Sequence, residues 1–175
     1  LGGCVTNDTV LVISGPAPVA NAGSNKDYCS GLIANLGTAS TPGYTYSWSP
    51  TTGLSNPSIS NPTLNLPNSG TSNDTTFYIV TTTFGPCSSQ DTVRVIVRPR
   101  PISNAGANVS LCGNDSIQLG GPSTTGYLYS WSPATGLNST VISAPVVTVN
   151  NPGTTPDSSY FVVVTTLNGC TTTDS

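Results

Sequence analysis

Apolar and polar residues alternate in short runs along this chain. Tyr44, Tyr46 and Trp48 alternate with Thr45 and Ser47, and Ser49-Pro50 and Gly53 follow. Successive strand side chains point to opposite faces, so this spacing predicts a strand with an aromatic inner face, closed by a Ser-Pro turn. The same period pairs Phe77 and Ile79 against Tyr78 and Val80 in a predicted strand over 75–83. It sets Val93, Val95 and Val97 against Arg94 and Ile96 in a predicted strand over 92–97. Shorter strands are predicted near 19–22, 32–36 and 64–66. No segment sustains a helical period. Six or seven short strands separated by Gly, Pro and Asn turn signals predict an all-β sandwich.

The whole pattern occurs twice. Tyr44–Leu54 returns almost unchanged at Tyr127–Leu137, and Trp48 and Trp131 are 83 residues apart. The same shift, without a gap, carries Cys4 to Cys87 and on to Cys170, and Cys29 to Cys112. It carries Asn21-Ala22-Gly23 to Asn104-Ala105-Gly106, Leu36-Gly37 to Leu119-Gly120, and Asp8-Thr9-Val10 to Asp91-Thr92-Val93. An ungapped repeat of this length predicts tandem duplicated domains. The expected divisions are 1–14, a closing strand of a preceding domain or a donor strand; 15–98, a first sandwich; and 99–175, a second sandwich lacking its last strand. Pro-rich linkers at 14–18 and 98–101 separate them, stiffened by alternate prolines. Two readings of the N-terminal strand stay open. It belongs to a window on a longer array, or it completes the last domain of a neighbouring molecule by strand addition.

Composition narrows the function. Of 175 residues only 6% are charged, against the ~25% usual for soluble domains. His, Met and Glu are absent and the net charge is −3, so the surface is solvated mainly by Thr, Ser and Asn. Such a surface has little field with which to capture nucleic acid or an anionic membrane, and neither is expected as a partner. The 35% hydrophobic content, gathered in β-type runs, argues for a folded protein over a disordered linker. No apolar run approaches the ~20 residues of a membrane helix. Without His or Glu, and with seven scattered Asp, no acid–base pair, nucleophile–base pair or cofactor site is expected. Calcium is not expected either, since Asp27 becomes Ser110 in the second copy.

The cysteines predict staples. Cys29 and Cys87 lie in one copy and Cys112 and Cys170 in the other, each pair 58 residues apart. Closing a loop of that size stabilises by roughly 4 kcal/mol in the chain-entropy model. Cys4 is left unpaired within the chain and belongs with a cysteine of a preceding unit. Disulfides imply an oxidising compartment. Trp48 and Trp131, with Tyr46 and Tyr129, read as core aromatics beside such a staple. The competing reading is a sugar-stacking platform.

Asn-Ala-Gly, then Cys, then Tyr-x-Trp-Ser-Pro-x-Thr-Gly-Leu, then a Tyr/Phe-rich strand, then Cys and Asp-Thr-Val-x-Val together resemble the PKD-like and Ig-like repeats of secreted Bacteroidota surface proteins. These occur in gliding-motility-type adhesins and other long proteins exported by the type IX system. The resemblance covers both full copies and the N-terminal strand. The sequence departs from PKD domains after Trp48, where Ser49-Pro50-Thr51-Thr52-Gly53 stands in place of an Asp-Phe-Gly-Asp-Gly loop. The resemblance implies an extracellular stalk, adhesin or fibre. Asp followed by Thr or Ser and then an aliphatic residue or Thr resembles the Bacteroidota O-glycosylation signal, marking Thr9, Thr75, Thr92 and Ser116. The competing reading is that these Asp and Thr residues cap turns and start strands.

The expectation is a structural, non-enzymatic repeat protein, secreted or at the cell surface, with identical or neighbouring repeats as end-to-end partners. The alternative is a module that binds glycans or surfaces, or the accessory arm of a large secreted hydrolase.

Overall fold

The computed structural model describes residues 2–12 and 14–175. Among them the chain is all-β, with eleven strands and no helix. The first copy of the repeat carries β1 (Lys26–Cys29), β2 (Ile33–Asn35), β3 (Thr45–Ser49), β4 (Thr63–Asn65), β5 (Asp74–Phe84) and β6 (Cys87–Arg98). The second carries β7 (Ser116–Gln118), β8 (Leu128–Ser132), β9 (Val146–Thr148), β10 (Val162–Leu167) and β11 (Cys170–Asp174). A four-stranded sheet in the order β1-β6-β5-β3 accompanies a two-stranded sheet β2-β4. The second copy repeats the theme as β11-β10-β8 with β7-β9.

By contact density the chain divides into two units. One comprises the residues up to Asn25, Ala34–Asn65 and Phe77–Arg94; the other comprises Lys26–Ile33, Leu66–Thr76 and Val95–Ser175.

The core of the first unit follows from alternation. Trp48 on β3 faces Val80 on the antiparallel β5. Tyr78, Val80, Thr82 and Val93 are buried with Trp48, Leu36, Leu64 and Ala22. The intervening Phe77 and Ile79 stay 57% and 38% exposed, so Tyr78 and Val80 are the inner pair of β5. In the second unit Trp131 faces Val163 across β8 and β10. Ala105, Trp131 and Val163 form a buried cluster on which Leu119, Tyr129, Leu137 and Phe161 pack.

The short repeated motifs converge on one arrangement in each unit. The Ala22 amide donates to Asp91 Oδ2 at 2.8 Å, and the Ala22 carbonyl accepts from the Gly37 amide at 2.8 Å. Gly37 has φ of +66°, and a Cβ there would run into the Ser60 carbonyl oxygen and reach 3.0 Å from the Trp48 ring. The second unit matches this element by element. Ala105 donates to Asp174 Oδ2 at 2.8 Å, Gly120 donates to the Ala105 carbonyl at 2.9 Å, and Gly120 lies under Trp131 with φ of +70°. Asp91, in the middle of β6, therefore serves the fold through its carboxylate.

Two expectations change. Residues 19–22 form no strand; Ala22 is held by the hydrogen bonds above instead. β1, which no alternation announced, pairs parallel with β6 in the register Lys26↔Val95 to Cys29↔Arg98. Over residues 2–12, part of the stretch expected to close a preceding domain or to serve as a donor strand, the chain pairs with no strand, and Val5, Val10, Leu11 and Val12 are more than 80% exposed. Leu1 and Ile13 of that stretch lie outside the described residues.

Gly37→Ala and Gly120→Ala should each lower the unfolding free energy by at least about 2 kcal/mol in urea titrations, from left-handed strain plus the carbonyl clash. Thr82 and Thr165 occupy equivalent core positions and each buries a hydroxyl with no hydrogen-bond partner. Thr82→Val, which keeps the shape and removes that hydroxyl, should raise stability by about 1 kcal/mol in the same titration.

Candidate functional site

The most constructed feature outside the two cores lies in the second unit, around the end of β1. Cys29 is bonded to Cys170, with Cα atoms 5.7 Å apart at a sequence separation of 141. This corrects the expected pairing. Cys29 and Cys87 were expected to close one copy, and Cys112 and Cys170 the other; instead Cys87 and Cys112 carry free thiols, as does Cys4.

The parallel register explains why. Cys29 sits opposite Arg98, at the far end of β6 from Cys87. At ~3.3 Å per residue the twelve-residue β6 separates its ends by on the order of 35 Å. Disulfides need Cα atoms within about 7 Å, so Cys29 cannot reach Cys87. It reaches the corresponding cysteine one period later. The first residue of β11 follows the Asn168-Gly169 turn of the β10–β11 hairpin, whose φ angles are +49° and +82°. Asn-Gly is the residue pair such a two-residue turn favours, because both positions need left-handed backbone.

Arg98 reinforces the same place. Its Nε and Nη2 donate to the two carboxylate oxygens of Asp27, each at 2.7 Å, and its Nη1 donates to the Asn168 carbonyl at 2.9 Å. The guanidinium thus grips β1 with one edge and the hairpin turn with the other. Asp27 holds the Arg98 pKa above its ordinary value through hydrogen bonding and charge, so the clasp keeps its cation throughout the usual pH range. Both side chains are about a third or more exposed, which leaves the pair open to screening by salt. Its value is geometric: a bidentate fork fixes direction as well as distance.

Beneath the clasp the backbone is tied down. Ser30 donates from its amide to the Arg98 carbonyl at 2.8 Å, and its hydroxyl accepts the Asn68 amide at 2.8 Å. Asn68 is buried and donates through Nδ2 to the Val97 and Ser72 carbonyls, each at 2.8 Å.

The other predicted residues are placed as follows. Trp48 and Trp131 are 2% and 3% exposed, and their indole N–H groups donate to the Ile59 and Ile142 carbonyls, each at 2.9 Å. Rings so enclosed offer no face to a sugar. Tyr46 and Tyr129 are half-buried rather than inside the core, because their hydroxyls accept the Thr41 and Thr124 amides at the surface, at 2.8 and 3.0 Å. Thr9, Thr75, Thr92 and Ser116 are all exposed. Among the described residues no three metal-ligating side chains come together, and no helix is long and apolar enough to cross a membrane.

The sequence matches no known protein family, and no curated protein matches it. Among solved structures it is similar to extracellular domains 3–5 of Drosophila OTK, with 8% identity and a TM-score of 0.45, over 86% of this chain and 57% of that one. It is also similar to the titin Ig tandem A164–A165, with 9% identity and a TM-score of 0.35, over 88% and 91% of the two chains. The titin Z1Z2 domains in complex with telethonin give 11% identity and a TM-score of 0.34, over 85% and 88%. The chain spans little more than half of the OTK fragment.

Peptide mapping without reductant should recover Cys29 linked to Cys170, with iodoacetamide on Cys4, Cys87 and Cys112; a Cys29–Cys87 peptide would contradict the structure. The chain-entropy model assigns a crosslink across 141 residues about 5 kcal/mol. Cys29→Ser/Cys170→Ser should therefore unfold at clearly lower denaturant than the oxidised parent.

Proposed function

We propose that this chain is a structural, non-enzymatic segment of an extracellular fibre or surface stalk, built from β-sandwich repeats fastened to one another. The observation that carries this reading is the position of the disulfide. A staple that served each fold alone would close within one copy of the repeat. This one joins the end of β1 in one copy to the hairpin of the next, and Arg98 clasps the same two places. Covalent closure there holds residues from both copies of the repeat within one unit, which suits a load-bearing segment more than an independent binding domain.

Other features support the same role. A disulfide persists in oxidising surroundings, as outside the cell. The surface, with 6% charged residues, gives a fibre little long-range repulsion along its length. The exposed Thr9, Thr75, Thr92 and Ser116 would carry the glycans, and neighbouring repeats would be the partners. The stretch around Val5, Val10, Leu11 and Val12 corresponds to β6 by the 83-residue shift and stands open. In an array it has a place in the sheet of a neighbouring repeat, the strand exchange weighed above.

Small-angle scattering in solution tests the proposal. The oxidised chain should behave as one stiff, elongated particle, each repeat adding roughly 35–40 Å from a strand of about ten residues and its linker. Cys29→Ser/Cys170→Ser should broaden the distribution of lengths. A compact particle whose dimensions ignore the disulfide would sink the rod reading.

A further inference from the structure

The cysteines fall into two kinds under the 83-residue shift. Cys29 and Cys112 follow one another at the turn after β1, or its equivalent; Cys4, Cys87 and Cys170 follow one another at the hairpin position. The bond in the structure joins one of the first kind to one of the second, in the next copy of the repeat. Cys112 and Cys87 are the same two halves without their partners.

The turns beside the unbonded halves share the backbone form of the bonded ones, although residues 109–112 form no strand. After Cys29, the Leu32 amide donates to the Cys29 carbonyl at 3.2 Å, and Gly31 has φ of +80°. After Cys112, the Asp115 amide donates to the Cys112 carbonyl at 3.1 Å, and Asn114 takes up φ of +71°. An asparagine in left-handed backbone keeps the turn that a glycine makes in the bonded half. On the hairpin side, Gly85 before Cys87 has φ of +56°, and its counterpart Asn168 before Cys170 has +49°. Cys112 is exposed and Cys87 partly so.

We propose that Cys112 and Cys87 are attachment sites for further repeats of this same type. Cys112 bonds the hairpin cysteine of the repeat that follows, and Cys87 bonds the β1-end cysteine of the repeat that precedes, giving a ladder of overlapping disulfides. The proposal rests on the array reading above and names its covalent joint. Each rung forms as two thiols pass two electrons and two protons to a disulfide oxidant: one molecule of oxidised glutathione becomes two of the reduced form. The clasp is not part of the ladder. By the same shift Arg98 corresponds to Gly15 and Asp27 to Ser110, so the cysteines alone are common to every joint.

A tandem protein tests this directly. The full chain is followed, from Ser175, by a second copy beginning at Val10, which keeps the 83-residue phase. Cys87→Ser in the first copy and Cys112→Ser in the second leave three unassigned thiols: Cys4, Cys112 of the first copy and Cys87 of the second. After refolding with oxidised and reduced glutathione, the expected thiol count falls from three to one, and the mapped crosslink joins Cys112 to Cys87. A count of three, or a crosslink through Cys4, overturns the ladder. Scattering on the same protein reads the array separately. Roughly doubled length with three thiols keeps the array and rejects the ladder, whereas a compact particle rejects the array whatever the thiol count.

Discussion

The close approach of Gly37 to the Trp48 ring is the constraint on which each sandwich depends. The indole needs a flat floor, and only a residue without a side chain supplies it, since the Ser60 carbonyl occupies the space where a Cβ would go. That position requires left-handed backbone, which glycine adopts freely. Once seated, Gly37 donates to Ala22, and Ala22 donates to Asp91 on β6. A chain of two hydrogen bonds and one steric fit thus ties an irregular segment, a loop and a sheet strand around the largest core side chain. The second copy reproduces it with Gly120, Trp131, Ala105 and Asp174. Asn-Ala-Gly, Leu-Gly and Asp-Thr-Val are conspicuous in the sequence because they are the contact points of one knot.

Much of this was legible beforehand. Alternation located β3, β5 and β6, and the repeat extended the assignment to the second copy. Burial of Trp48 and Trp131 followed from a period of two. The cysteine pairing was not legible, for a definite reason. A repeat relates equivalent positions but is blind to which copy supplies a partner: Cys29 with Cys87 and Cys29 with Cys170 obey the same 83-residue rule. What decides between them is the direction and register of β1 along β6. β1 is four residues long, with adjacent Lys26 and Asp27, and its three partly buried side chains leave little trace in the sequence. The clasp was hidden similarly. Arg98 and Asp27 are not repeated, and their 71-residue separation reveals nothing until β1 lies beside β6.

The region around the end of β1 mixes two kinds of fastening. The disulfide is covalent, indifferent to salt and broken by reductant. The Arg98 fork is directional, reinforced by the carbonyl of a turn, and softened by ions. One fixes the distance between two points and the other the orientation about them.

The reach of the Cys29–Cys170 bond has a mechanical meaning. Tension entering the chain before Cys29 crosses a pair of sulfur atoms and leaves after Cys170, while the residues within the 141-residue interval carry none of it. Trp48 and Trp131 lie inside that bypassed segment, whereas β1 leads up to Cys29 and β11 runs on from Cys170. Pulling therefore loads the pairing of β1 with β6 and of β11 with β10, while the strands between the two cysteines are shielded.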